Sequence, residues 1–150
     1  MADQVLLPHK LSELAQMALD DVEAIERSGI HGIEMASWCR WDSTGGPCAM
    51  CAAGAVAVQR LGLSRTVVSH VEFYKLFGDH NADALVAVDQ LRMGNVGAAL
   101  LLVEGSEDWE TVNDSEEHEL NREIPRYGID MAGWHAGMRA LIADLREAGL

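Results

Sequence analysis

The chain has 150 residues, the size of one domain, and 49% of them are hydrophobic against 23% charged. That mix describes an ordinary globular core and excludes a wholly disordered chain. The net charge of −13, from 24 acidic and 11 basic residues, disfavours direct nucleic-acid binding and anionic membranes and favours basic protein surfaces or cations.

Residues 1–10 have no basic region followed by an apolar stretch, so no signal peptide is expected. No run approaches the ~20 apolar residues of a membrane span. The cytoplasm is the expected location. Leu11, Leu14, Ala15, Ala18, Leu19, Val22 and Ile25 recur at three- and four-residue spacing. They predict an amphipathic helix over Leu11–Ser28. Ile30–Trp41 mixes two periods and is read as a short helix. Asp42–Pro47 is a loop on its turn residues.

Cys48–Leu61, CAMCAAGAVAVQRL, is the most distinctive segment. Alanine favours helix, and small side chains let a neighbouring backbone approach closely. A central buried helix is expected there. Ser64 or Ser69 can cap a helix running towards Phe77, and Gly78–Asn81 breaks it. Asn81 then caps Ala82–Met93, and Asn95 caps Val96–Val103, as an αα-hairpin. Asp130 caps a last helix to Ala148, with Met131, Trp134, Met138, Leu141, Ile142 and Leu145 on one stripe. The expected fold is all-α: a single domain over 1–150 with five or six helices around the small-residue helix.

Between the last two helices, residues 104–123 carry nine acidic residues against Arg122, which is −8 of the total −13. This is an acidic surface segment, readable as a solvated loop, as a docking surface for a basic protein, or as a cation site. No calcium-loop pattern is present. In the docking reading Glu107, Asp108, Glu110, Glu116 and Glu117 supply the field, and Trp109 is the apolar anchor.

Two other clusters carry chemistry. Trp38-Cys39-Arg40-Trp41 sets two indoles about a guanidinium beside a glycine-containing loop. Trp38, Arg40 and Trp41 could stack on a nucleotide-like ligand, or serve the core. Cys48-x-x-Cys51 follows Gly-Pro. The pair is open to three readings: packing, a redox pair, or half a zinc site completed by Cys39 and His31. The tight second pair of a zinc site and the preceding strand of a thioredoxin-like unit are missing from the pattern. Packing is preferred, so neither a metal nor another cofactor is expected. Three cysteines without an export signal do not suggest a disulfide framework. His118 lies in a small Glu117-His118-Glu119 triplet. No nucleophile elbow, phosphate loop or zinc-protease motif occurs, so a binding protein is expected rather than an enzyme.

The run from Gly46-Pro47-Cys48 to Cys51-Ala52-Ala53-Gly54-Ala55-Val56, with Trp38 and Trp41 upstream, resembles small uncharacterised bacteriophage proteins with a G-x-C-x-x-C-x-x-G-A-V helix. Asp89-Gln90-Leu91-Arg92-Met93-Gly94 and Leu145-Arg146-Glu147-Ala148-Gly149-Leu150 are similar to the same group. The resemblance implies a phage accessory or counter-defence protein acting on a host protein. It implies no catalytic residues.

Overall fold

The computed structural model describes residues 5–28, 32–33, 40–41, 48–50, 52–62, 70–104, 118–125 and 130–150. Its fold is all-α, with five helices among the described residues: α1 (Leu11–Ser28), α2 (Ala52–Leu61), α3 (His70–Leu91), α4 (Val96–Val103) and α5 (Met131–Glu147). No helix among them is long and apolar enough to cross a membrane.

The stripe expected on α1 is the face it buries: Leu11, Leu14, Ala15, Ala18, Leu19, Val22 and Ile25 are all sealed. Through it α1 packs against α2, α3 and α5. The small-residue helix lies between α1 and α3, with every residue from Ala52 to Ala57 buried. Its start differs from expectation. Cys48–Met50 form a strand, β3, and the helix begins at Ala52. Of the segment Ile30–Trp41, expected as a short helix, only residues 32–33 and 40–41 are described, and they are not helical. Its described parts are two strands, β1 (Gly32–Ile33) and β2 (Arg40–Trp41). β3 is the middle strand, parallel to β1 and antiparallel to β2. Pairing on both sides gives Cys48–Met50 the main-chain partners that the first turn of a helix lacks.

The break expected at Gly78–Asn81 is a kink inside α3. Gly78 has φ 78° and ψ 166°, a conformation that side chains with a Cβ avoid. Tyr74 before the kink donates its hydroxyl to Asp83 after it. Asn81 is not the cap of a new helix. It is fully buried, and its side chain accepts from Leu7 N–H at 2.8 Å and donates to Val5 O at 2.7 Å. An amide that binds both a donor and an acceptor suits a segment that lies across it, here residues 5–7.

α3 and α4 pack as the expected hairpin. Asn95 does not cap α4; its amide donates to Gln90 Oε1 at 3.1 Å. The cap comes from Asn121, whose Oδ1 accepts from Gly97 N–H at 2.9 Å. Asp130 caps α5 as expected, accepting from Gly133 N–H at 2.8 Å. Trp134 is buried on α5 and donates its indole N–H to Arg92 O at 3.2 Å. At the chain end Gly149 N–H meets Arg146 O and Leu150 N–H meets Leu145 O, which closes α5 by a Schellman motif. Leu150 O in turn accepts from Ser12 N–H at the start of α1.

Candidate functional site

Two charged features emerge from this packing. The first is a groove between α1 and α5. Both helices bury an apolar stripe, which leaves their next positions facing each other along the rim. Those positions are acidic on α1 (Asp20, Glu23, Glu26) and basic on α5 (His135, Arg139, Arg146). The rim encloses two open hollows of about 400 and 340 Å³, which share Glu23 and Arg139.

Within it, Glu26 Oε1 lies 2.9 Å from His135 Nε2, and Glu23 Oε1 lies 3.5 Å from His135 Nδ1. The same Glu23 meets Arg139 Nη2 at 3.4 Å and Arg27 Nη1 at 3.9 Å. Arg146 reaches Gln16, and Gln16 reaches Asp20. The charges of the groove therefore satisfy one another, as in a seam that joins two helices. An imidazole between two carboxylates can hold or pass a proton. Among the described residues no cluster of His, Cys, Asp and Glu is placed to hold a metal ion. Sequence reading missed this groove, although a signal was present: acids at 20, 23 and 26 on one helix and bases at 135, 139 and 146 on another are each spaced to share a face.

On the opposite flank of α1, Asp21 is buried and forked by Arg60 of α2, with contacts of 3.0–3.2 Å. Burial pushes the Asp21 carboxyl above its ordinary range, although the Arg60 hydrogen bond and charge pull it down. The Tyr74 hydroxyl is pushed up by burial, by its bond to Asp83 and by the charge of that carboxylate.

The second feature is the acidic segment, described at its two ends. It leaves from Glu104, at the C-terminal end of α4. It returns to the opposite end of the same helix, where Asn121 caps Gly97 and Arg122 N–H bonds Gly94 O at 3.0 Å. Gly94 has φ +84°, and a Cβ there would lie 2.0 Å from Arg122 O. Arg122, the basic residue of the segment, pairs with Asp144 on α5. His118 Nδ1 accepts from Leu120 N–H at 3.0 Å, and His118 O accepts from Asn121 N–H, so this ring belongs to a turn.

The expected partner-binding residues Glu107, Asp108, Trp109, Glu110, Glu116 and Glu117 lie outside the described residues, as do Trp38, Cys39, Cys51 and His31. Of the other candidates, Arg40 and Trp41 lie on β2 and Cys48 on β3. The register sets Arg40 opposite Ala49 and Trp41 opposite Cys48. Arg40, Trp41 and the first cysteine of the C-x-x-C pair thus lie in one small sheet.

Comparison with protein-family models, curated proteins and solved structures finds no match. Two short segments singled out in the sequence have structural work in this chain. Asp89–Gly94 forms the α3–α4 turn, with Arg92 Nε on Asp89 Oδ1 at 2.7 Å and Gly94 under Arg122. Leu145–Leu150 forms the Schellman end of α5.

Proposed function

We propose that the protein acts by binding, with the acidic segment 104–123 docking on a basic surface of another protein. One observation carries this reading. The segment leaves one end of α4 and returns to the other, and an eight-residue helix spans only about 12 Å. About four extended residues would cover that distance. The chain spends 13 there, residues 105–117, and six of them are acidic. Arg122 directs its charge to Asp144, outside the segment, so the carboxylates keep little compensation from their own stretch of chain. Such a field steers association with a basic partner and is screened by salt. The resemblance to phage proteins supports a phage-type accessory or counter-defence role, with the partner a host protein.

The test is capture from host lysate at low and high ionic strength. The bait is compared with a variant carrying Glu107→Gln, Asp108→Asn, Glu110→Gln, Glu116→Gln and Glu117→Gln. The proposal expects a basic protein that the wild type retains at low salt and the variant loses. Equal capture by both baits would count against it.

A further inference from the structure

We propose that His9 is a protonation-dependent clasp: as an imidazolium it fastens residues 5–10 across α3 and the C-terminal end of α4, and when it loses a proton it loosens them from the seat of Leu7. This inference stands apart from the acidic segment.

The geometry at His9 is specific. Its Nε2 lies 2.9 Å from His80 O, and its Nδ1 lies 3.2 Å from Val103 O. Both partners are main-chain carbonyl oxygens, which accept and cannot donate. The two contacts are hydrogen bonds together only when both ring nitrogens carry hydrogen. A neutral imidazole has one N–H, so one of its nitrogens would turn a lone pair towards a carbonyl oxygen. Val103 closes α4. Its carbonyl is one of those left without a helical partner, at the negative end of the helix dipole, where a cation is favoured.

His80 completes the clasp and needs a single proton. Its Nε2 donates to Leu7 O at 2.8 Å, and its ring stacks on His9 with centroids 3.9 Å apart and planes 8° from parallel. Beneath the clasp lie groups that water does not reach. Leu7 is 1% exposed and Asn81 0%. Asn81 holds Leu7 N–H and Val5 O. The titratable ring packed on His9 is His80; next along the chain from His9 and its two partners stand Lys10, Asp79 and Glu104, and Asp83 follows on α3. The sign follows from the donors: the clasp is closed when both ring nitrogens of His9 carry hydrogen and loosens when one is bare.

Two NMR measurements on the wild-type protein test this. At about pH 5.5, ¹⁵N shifts of the His9 ring should show both nitrogens protonated, and at about pH 8 one of them bare. The Leu7 amide reports the strap. Its exchange protection, normalised to the intrinsic rate at each pH, should fall about fivefold to tenfold between the two conditions, as loss of one hydrogen bond implies. In His9→Gln the Leu7 protection should be low at both pH values, with the amide of Leu141 in the core unchanged. A wild-type His9 ring with one bare nitrogen at the lower pH would overturn the proposal. So would Leu7 protection equal at both pH values, or a pH step that survives in His9→Gln.

Discussion

Substituting Gly94 by alanine tests whether the acidic segment is anchored where the structure places it. Gly94 has φ +84°, and placing an L-residue in that region costs about 1–2 kcal/mol. Alanine regains about 0.4–1 kcal/mol by restricting the unfolded chain. Gly62, with φ +69° and nothing within 4 Å of a Cβ, isolates those two terms. Gly62→Ala should therefore cost at most about 1.6 kcal/mol. At Gly94 the added methyl lies 2.0 Å from the carbonyl oxygen of Arg122 and 2.9 Å from its carbon. Backbone cannot yield as a side chain does, so residues 120–124 must lift. That breaks the Arg122 N–H to Gly94 O bond and strips partners from buried polar groups, for about 1–3 kcal/mol more. Gly94→Ala should cost about 3 kcal/mol, measured by urea denaturation with equal slopes for all variants. In a domain this size each kcal/mol lowers Tm by about 2–4 °C. The two variants should thus separate clearly in calorimetry. Equal losses at Gly94 and Gly62 would refute the close approach of residue 122.

Three further outcomes follow from buried groups. Arg60→Met should cost about 1–3 kcal/mol because it leaves the Asp21 carboxylate buried without its partner, and adding Asp21→Asn should recover part of that loss. Burial raises the Asp21 carboxyl in the folded state, so folding favours its protonated form relative to the unfolded chain. The penalty in Arg60→Met should therefore be least at acid pH and grow as pH rises through the folded value. Tyr74→Phe should cost about 0.5–1.5 kcal/mol through loss of the bond to Asp83. The folded Tyr74 hydroxyl titrates above its unfolded value, so wild type should keep that advantage up to about pH 10 and lose it at higher pH. Gly54 is buried on α2, and Gly54→Leu should cost about 1–3 kcal/mol by overpacking, read as a lower thermal midpoint.

The helices were legible where one face is apolar and the other is not. The α1 and α5 stripes read directly from their spacing because burial against neighbours is what enforces that spacing. Local signals failed where tertiary partners override them. Asn81 and Asn95 look like caps, yet one grips the strap and the other its own turn, while the true cap of α4 comes from Asn121, 24 residues beyond Gly97. No local rule announces such a partner. Cys48–Met50 read as helix from their composition, but strands on both sides take them into a sheet. The acidic segment was legible from charge alone. Its anchoring across α4, and the Arg122–Asp144 pair that removes its cation, depend on contacts distant in sequence. The His9–His80 clasp was hidden for the same reason, because the two rings are 71 residues apart.

The central claim is that residues 104–123 dock on a basic partner, and rate measurements test it most directly. Association and dissociation of the captured partner would be followed by surface plasmon resonance at several salt concentrations. The baits are wild type, the variant neutralised at residues 107, 108, 110, 116 and 117, and Trp109→Ala. Neutralisation should slow association, most strongly at low salt, because it removes the steering field. Trp109→Ala should instead speed dissociation, because it removes an anchor rather than a charge. If both variants associate and dissociate as wild type does, the segment is not the interface, and the Trp38–Arg40–Trp41 cluster takes its place as the site to examine.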